Sequence, residues 1–261
     1  DEKHGLLKVK DDKITGKLKR VLEVTRKHDV KILCFPECSI SEKLLKKVLH
    51  KYALETKAIV IGGSFYNKNR KNICPVIIPS KGVFIIEKKN LSPLEKSPVA
   101  GEGAVPGNKG YIFKNTNYGT LGVFICADFL DTNLRREVLI QDPDFLFVVA
   151  LNRKSDEFHT IMESIIIECM RCGKKAPYII YCNGIFDNYG DGHSAIFGFV
   201  DKLMLEKLHK RGYKPNDAFK WKIVELPQEG IIIADFRFTR PRGIHTIKEE
   251  FNIFNIRKYP L

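Results

Sequence analysis

Three residues whose side chains could together cleave a carbon–nitrogen bond follow apolar stretches of the chain. Cys126 ends the β-branched run of residues 120–126, Glu37 ends residues 31–37, and Lys88 or Lys89 follows residues 82–86. A thiol is mostly protonated near neutral pH, so a nearby carboxylate could take its proton and pass it to a leaving amine. A lysine beside the reacting carbonyl would stabilise the developing oxyanion, a contribution of about 3 kcal/mol for one donor. These residue types favour hydrolysis of an amide or a nitrile.

The residue types alone leave other interpretations open. A cysteine at the end of an apolar strand is most often a small buried hydrophobic residue. Glu37 could instead lie near a helix N-terminus, because Ser39 or Ser41 could begin a helix over residues 42–52. Lysines at a strand exit are usually solvated.

The chemistry needs a scaffold that brings strand ends together, and the hydrophobic pattern predicts one. Apolar runs alternate with stretches of helical periodicity, which favours a layered α/β fold, and ligands bind at the carboxyl ends of strands in such folds. The predicted strands are residues 6–9, 31–37, 58–65, 73–78, 82–86, 120–126, 145–150, 178–182, 221–226 and 230–235. The predicted helices are residues 14–27, 42–52, 133–140 and 157–172. Residues 79–82 predict a hairpin turn, residues 183–192 a turn-rich segment, and a basic tail containing Arg237, Arg240 and Arg242 ends the chain.

Length and composition predict one soluble domain in a reducing compartment. The 261 residues suffice for a single core over residues 1–261, no apolar run approaches the roughly 18 residues of a membrane span, and no signal peptide is visible. Seven cysteines, an odd number, predict free thiols and a cytoplasmic location. The chain starts at Asp1 without a methionine, so it could be one domain excised from a larger protein.

The charge is strongly positive, at +13 from 44 Lys and Arg against 31 Asp and Glu. Such a charge favours nucleic acid, an anionic membrane or acidic partners. Basic clusters lie at residues 17–20, 43–51, 68–71 and 207–222, the last interleaved with Tyr213, Phe219 and Trp221. Clusters like these are ordinarily solvated faces, and contact with nucleic acid is the open alternative.

The order of the reactive residues resembles the nitrilase superfamily of carbon–nitrogen hydrolases, which is built on a Glu-Lys-Cys triad. The motifs are Phe35-Pro36-Glu37, then Lys88-x-Asn90-Leu91-x-Pro93, then the run from Gly122 to Cys126-x-Asp128. Companion segments stand where similar segments stand in the family: residues 61–63 before Asn72, then 150–152, 182–184, 192–198 and 229–230. The resemblance therefore extends over nearly the whole chain.

The resemblance implies a role for each reactive residue. Glu37 would be the general base and acid, and Cys126 would be the nucleophile. The backbone N–H of Ala127 would complete the oxyanion site with Lys88. Many members carry a second glutamate that orients the lysine and positions the substrate, and Glu95 fits it.

Some positions offer two candidates. Lys88 fits the family's lysine better than Lys89, because the polar residue and leucine of the family pattern then follow at the expected spacing. Glu102 fits the position of the second glutamate less well than Glu95 does. Arg135 or Arg136 resembles an arginine that forms a structural ion pair.

The resemblance also implies an α/β fold of a particular type, a four-layer αββα sandwich. Such sandwiches pair into a homodimer through an outer helical layer, and the predicted helix 157–172 is our candidate for that surface. The substrate would be a small amide, nitrile or carbamoyl compound, and neither a metal nor an organic cofactor is required. The family's usual first strand is only faintly present in residues 6–9.

Several further motifs favour structural roles. Cys169-Met-Arg-Cys172 is a CxxC pair with no second pair at zinc spacing, and Cys34 and Cys38 favour buried packing. His193, near the implied pocket mouth, favours a local hydrogen bond. Gly101-x-Gly103 lacks the context of a phosphate loop and favours a flexible rim.

Two functions of different classes follow. The first is an active thiol-dependent carbon–nitrogen hydrolase, which all three reactive groups favour. The second is a nitrilase-like dimerisation or regulatory module of a larger protein that handles nucleic acid, for example a reverse-transcriptase fusion, which the missing methionine and the +13 charge favour.

Overall fold

Two β-sheets form the centre of the computed structural model, which describes residues 6–96, 102–186, 189–200, 206, 210, 221–239 and 250–261. The helices are α1 (Asp11–Lys27), α2 (Glu42–Leu44), α3 (His50–Thr56), α4 (Pro93–Lys96), α5 (Thr132–Leu139) and α6 (Ser155–Arg171). The strands are β1 (Ile32–Cys34), β2 (Ile59–Ile61), β3 (Phe65–Tyr66), β4 (Asn72–Ile78), β5 (Gly82–Glu87), β6 (Ile112–Thr116), β7 (Gly119–Ile125), β8 (Phe145–Ala150), β9 (Tyr178–Asn183), β10 (Ile185–Phe186), β11 (Gly190–Asp191), β12 (Ser194–Phe197), β13 (Lys222–Leu226), β14 (Gly230–Thr239) and β15 (Glu250–Pro260). A π-helical turn, Leu45–Leu49, joins α2 to α3, and a 3₁₀ turn, Cys126–Leu130, follows β7.

The first sheet has the order β1-β2-β4-β3, with β5 also paired to β4. β1 runs parallel to β2, and the other pairs are antiparallel. The predicted hairpin between β4 and β5 is confirmed. Gly82, at its turn, has a φ of +103°, a left-handed conformation that favours glycine.

The second sheet has the order β13-β12-β9-β8-β7-β6. β7, β8 and β9 are mutually parallel, so their carboxyl ends lie at one edge of the sheet. That edge meets the end of β1, because the Glu37 N–H donates to the Ala150 carbonyl at 3.2 Å. The topology therefore brings the chain after β1, β7 and β8 to one place.

Three clusters of buried apolar side chains separate four layers, which confirms the predicted αββα sandwich. The cluster between the two sheets includes Ile61, Val76, Val123 and Phe147. A second cluster joins α1 and the helical segment 42–56 to the outer face of the first sheet, and a third joins α6 to the outer face of the second.

Residues 6–9 do not form the predicted strand. The backbone of residues 6–10 has no regular structure, since Lys8 interrupts a run too short to hold a strand without a pairing partner. Helix α1 begins at Asp11 instead of residue 14, with Asp11 and Asp12 in the first turn, where the helix dipole favours acids. Among the strands that the structure describes, β1 is the end strand of its sheet.

The C-terminal region is also more regular than the sequence predicted. β14 continues to Thr239, and Glu250–Pro260 form β15, which pairs with it in an antiparallel register. Arg237 therefore lies in a strand and not in a basic tail, while Arg240 and Arg242 lie outside the described residues. Among the residues that the structure describes, no helix is both long and apolar enough to cross a membrane.

The predicted strand over residues 58–65 is two strands, because Gly62 and Gly63 separate β2 from β3. Gly63 has a φ of +69°, and a Cβ there would lie 2.5 Å from the Pro36 carbonyl oxygen. Because glycine has no Cβ, the chain directly before Glu37 can pass close to the backbone of Gly63.

We expect Gly63→Ala to lower the free energy of unfolding by about 2 kcal/mol or more, through the left-handed conformation and the clash. Gly16→Ala is the matched control, since Gly16 lies in α1 with no atom within 4 Å of an added Cβ. That change should stabilise the protein by about 0.5 to 1 kcal/mol. Urea unfolding of both variants checks the contrast, and equal effects would contradict it.

Candidate active site

Lys88 is the centre of the site, with its ammonium buried between two carboxylates. Its Nζ lies 2.8 Å from Glu37 Oε1 and 2.7 Å from Glu95 Oε2. The three residues are 1, 5 and 5 % exposed, respectively. Buried charges of this kind persist only when paired and hydrogen-bonded, so these three side chains form one electrostatic unit.

The position of Glu37 follows from the chain after β1. Its backbone N–H is bonded to β8 through Ala150, and its Oε2 accepts the Leu151 N–H at 3.0 Å. The alternative of a helix-capping acid is wrong, because Ser41 caps α2 by accepting the Leu44 N–H at 3.2 Å. The carboxylate of Glu37 instead faces Lys88.

Cys126 stands at the carboxyl end of β7, in a strained conformation. Its φ is +46°, which is uncommon for a residue with a side chain and which turns the chain into the 3₁₀ segment. The buried thiol lies near the Glu37 carboxylate, whose negative charge acts on its pKa. The structure thus brings Glu37, Lys88, Glu95 and Cys126 together.

Burial and charge set the protonation of these groups. Burial, with the negative charge of Glu37 beside it, raises the pKa of the Cys126 thiol well above its usual range. Burial also raises the pKa of Glu37, more than Lys88 lowers it. A neutral thiol therefore lies near a carboxylate of raised proton affinity, which is an arrangement suited to proton transfer.

Lys88 and Glu95 behave as a fixed ion pair. Burial alone would lower the pKa of Lys88, but the negative charges of Glu37 and Glu95 hold it above its usual range. Burial likewise opposes ionisation of Glu95, yet Lys88 and the hydrogen bonds from Ser92 N–H and Asn72 keep the pKa of Glu95 below its usual value. The ammonium is therefore charged at neutral pH.

Two further side chains hold the carboxylates, and sequence reasoning gave neither of them a role in the site. Asn72 Nδ2 donates to Glu37 Oε1 at 2.7 Å and to Glu95 Oε1 at 3.1 Å. The Tyr66 hydroxyl donates to Glu95 Oε1 at 2.8 Å. Asn72 appeared in the sequence only as a companion of the family pattern, and nothing in the sequence singled out Tyr66.

Asp128 connects the cysteine turn to the lysine segment. Its buried carboxylate accepts the Lys89 N–H at 3.0 Å and the Asn90 N–H at 2.7 Å. These bonds fix the backbone directly after Lys88. Burial raises the pKa of Asp128 to about 6, against the hydrogen bonds that lower it.

Because the folded protein binds this proton more tightly than the unfolded chain does, Asp128 makes stability fall as pH rises from about 4 to 6, by about 3 kcal/mol in total. Above pH 6 its contribution is constant. Asp128→Asn should remove this slope, so the difference in unfolding free energy between wild type and variant should change over that window and not above it. Urea unfolding at intervals of pH measures it, and parallel curves would contradict the assignment.

The remaining predicted residues lie apart from the cluster. Lys89 is exposed, and Glu102 pairs with Arg70 at the surface, with a separation of 2.6 Å. Arg135 donates to the Phe129 carbonyl at 2.6 Å and so holds the cysteine turn through its backbone. Ala127 is half-buried within that turn.

The other sequence motifs have local partners. His193 Nδ1 lies 2.6 Å from Glu225 Oε1. Cys169 is half-buried and Cys172 is exposed at the end of α6, and over the described parts of the chain no group of three or more His, Cys, Asp or Glu could hold a metal ion. Gly101 lies outside the described residues.

Comparison with solved structures identifies the class of fold, which is that of the nitrilase superfamily. Nit3 of Saccharomyces cerevisiae, a member of branch 10 of that superfamily, matches with a TM-score of 0.56 and 20 % identity over 75 % of this chain and 80 % of its own. The NitN amidase of Nesterenkonia sp. AN1 matches with a TM-score of 0.57 and 13 % identity over 75 % of this chain and 82 % of its own. A mutant of that amidase, with acrylamide added to its active-site cysteine, matches with a TM-score of 0.54 and 13 % identity over 75 and 83 %. No protein-family model matches the chain, and no curated protein sequence is significantly similar to it.

Proposed function

We propose that this protein is a thiol-dependent hydrolase of a non-peptide carbon–nitrogen bond in a small amide, nitrile or carbamoyl compound. The observation that carries the proposal is the buried Lys88 ammonium between two carboxylates, with the Cys126 thiol buried near one of them, Glu37. In a mutant of the similar Nesterenkonia amidase, acrylamide has undergone Michael addition at the active-site cysteine, which supports a nucleophilic role for a cysteine on this fold.

For an amide substrate, the first half of the reaction forms a thioester. Glu37 takes the thiol proton as the Cys126 sulfur attacks the carbonyl carbon. The oxygen becomes an oxyanion, which the Lys88 ammonium and the Ala127 N–H stabilise. Glu37 then gives its proton to the nitrogen, the C–N bond breaks, and ammonia or an amine leaves.

The second half restores the enzyme. A water molecule gives a proton to Glu37 and attacks the thioester carbon, and the oxyanion forms again beside the same two donors. The C–S bond then breaks, the carboxylic acid leaves, and the thiolate takes back the proton. Glu95, held by Tyr66 and Asn72, keeps the Lys88 ammonium in place throughout.

Ammonia release from a panel of small amides and nitriles tests the proposal. We expect release from at least one compound, with loss of release after alkylation of Cys126. Cys172→Ala serves as the control, because the Cys172 thiol is exposed and away from the cluster. A panel that yields no ammonia from any compound would favour the second function.

That second function is a dimerisation or regulatory module of a protein that handles nucleic acid, and the +13 charge is what favours it. In the described part of the basic cluster 43–51, three lysines pair with acids: Lys43 with Asp11, Lys46 with Glu42 and Lys51 with Glu55. Most of the cluster 207–222 lies outside the described residues. Binding to generic DNA or RNA that weakens steeply with salt would support this function.

The homodimer and the cytoplasmic location remain predictions. Helix α6 covers the outside of the second sheet and exposes Met170, so it stays our candidate for the dimer surface. Light scattering at micromolar concentration tests the prediction, and a monomer would count against it.

A further inference from the structure

The two carboxylates that flank Lys88 accept different numbers of hydrogen bonds. Oε1 of Glu95 accepts from the Tyr66 hydroxyl at 2.8 Å and from Asn72 Nδ2 at 3.1 Å. Its Oε2 accepts from Lys88 Nζ at 2.7 Å and from the Ser92 N–H at 2.8 Å. Since an ionised carboxylate has about four lone-pair sites, two on each oxygen, these donors saturate Glu95.

The donors to Glu37 are divided unevenly between its two oxygens. Oε1 accepts from Lys88 Nζ at 2.8 Å and from Asn72 Nδ2 at 2.7 Å, so both of its lone-pair sites are in use. Oε2 accepts from the Leu151 N–H at 3.0 Å, and no other N–H group of the described residues donates to it. Of the four oxygens in these two carboxylates, Oε2 of Glu37 is therefore the one with a lone pair open to a proton.

Asn72 donates to both carboxylates from one fixed position. Its side chain is 0 % exposed. Its backbone is held on both sides, because Asn72 pairs with Tyr66 in the register of β3 and β4 and its carbonyl accepts the Lys88 N–H at 2.9 Å. The opposite orientation of the amide would place its oxygen against two carboxylates, so Nδ2 faces them. The neutral amide thus fills one lone-pair site of Glu37 Oε1 without adding a charge.

We propose that Asn72 is a positioning residue that fixes the oxygen of Glu37 through which the thiol proton moves. Asn72 and Lys88 together keep Oε1 occupied, so Oε2 takes the proton from the Cys126 sulfur and later gives it to the nitrogen of the leaving group. Glu95, whose lone-pair sites are filled, takes no part in the transfer. The proposal rests on the hydrolase function proposed above.

The ionisable groups that interact electrostatically with Glu37 fall into two sets. Three are charged near neutral pH: Lys88, Glu95 and Asp128. Four are neutral there, because burial raises the pKa of each: Cys38, Tyr66, Cys74 and Cys126. Of all these groups Asp128 changes charge nearest to neutral pH, since burial raises its pKa to about 6.

Asn72→Leu tests the proposal, because leucine keeps much of the side-chain volume and removes both donors. A donor to the ionised form lowers the pKa of a carboxylate, so its loss should raise the pKa of Glu37. We expect the acid limb of the kcat/KM profile to move to higher pH by about one unit. The plateau value of kcat should fall by about tenfold, while KM should change by less than about threefold.

Ser64→Ala is the matched control. Ser64 is also fully buried and accepts the Cys38 N–H at 3.2 Å, directly after Glu37, but no described bond joins it to either carboxylate. A change that only loosens the surrounding structure should lower kcat equally at every pH. The profile of Ser64→Ala should therefore keep the wild-type midpoint.

Two measurements need no turnover, so they separate this proposal from the hydrolase function. The first is the pH dependence of Cys126 alkylation by iodoacetamide, located by peptide mapping. Its midpoint should rise by about one unit in Asn72→Leu and stay unchanged in Ser64→Ala. The second is NMR of the wild type, in which the Leu151 amide resonance should titrate with Glu37 and the Asn72 side-chain resonances should move less.

An unchanged midpoint in folded Asn72→Leu, or an equal rise in Ser64→Ala, would overturn the proposal. A titration seen at the Asn72 side chain and not at Leu151 would place the proton on Oε1 and would overturn it as well. Repeating the alkylation in an Asp128→Asn background removes the neighbour that titrates near pH 6, and a shift that vanishes there would belong to Asp128. That result would also count against Asn72. If both measurements give the expected result and no compound releases ammonia, the positioning role stands and the hydrolase function fails.

Discussion

Cys126→Ala is expected to abolish hydrolysis, with kcat lower by roughly 10⁴-fold or more, because the variant lacks the thiol that forms the thioester. Glu37→Gln should lower kcat by about 10² to 10⁴-fold, since the amide keeps the volume of the side chain but cannot take the thiol proton. Both variants should fold normally. Ammonia release under identical conditions measures the loss, and circular dichroism measures the fold.

The matched control for this pair is Cys74→Ala. Cys74 is fully buried in the cluster between the sheets and does not belong to the Lys88 cluster, so its loss should lower stability and leave kcat nearly unchanged. Full turnover by the Cys126→Ala variant would remove the proposed role of this thiol. If the Cys74→Ala variant lost as much activity as the Cys126→Ala variant, the assay would be reporting loss of folded protein and not loss of the catalytic thiol.

Lys88→Met should abolish activity and destabilise the fold together. The change removes the cation between Glu37 and Glu95 and leaves their two carboxylates buried without a counter-charge. We expect the free energy of unfolding to fall by about 3 to 5 kcal/mol. The pKa values of the two carboxylates should rise, so the folded variant binds protons more tightly than its unfolded chain. Its stability should therefore fall as pH rises from acid to neutral.

Lys89→Met is the control for that prediction, because Lys89 is the exposed neighbour and should change stability by less than about 0.5 kcal/mol. Adding Glu95→Gln to the Lys88→Met variant should recover part of the lost stability by removing one of the two like charges, without recovering activity. Urea unfolding of the single and double variants measures this coupling. A Lys88→Met protein as stable as wild type would contradict the view that the three side chains form one unit.

The strand ends that carry the reactive residues could be predicted from the sequence, because each follows a short apolar run. The predicted strand over residues 145–150 has the same bounds as β8. The order of β7, β8 and β9 follows from the alternation of strands and helices. Glu95 could be chosen over Glu102 only through the family pattern. Both glutamates stand near Lys88 in the sequence, and the fold alone places one beside its ammonium and the other at the surface.

Contacts between distant segments could not be predicted in this way. Tyr66 in β3 donates to Glu95 in α4, which lies 29 residues further along the chain, and Asp128 accepts from the backbone of residues 89 and 90, so neither contact leaves a local pattern. The failure over residues 6–9 has a different cause, since a short apolar run becomes a strand only when a neighbouring strand pairs with it. β15 was missed because its polar residues, such as Asn255 and Arg257, find partners in β14 that the sequence does not indicate.

Trapping the covalent intermediate tests the central proposal most directly. The protein is mixed with an amide that releases ammonia, quenched in acid within one turnover, and analysed by intact mass and peptide mapping. We predict an added mass equal to the acyl group of the amide, located on Cys126 and absent from the Cys126→Ala and Lys88→Met variants. An acyl group on another residue, or ammonia release with no covalent adduct at any quench time, would contradict the thioester mechanism.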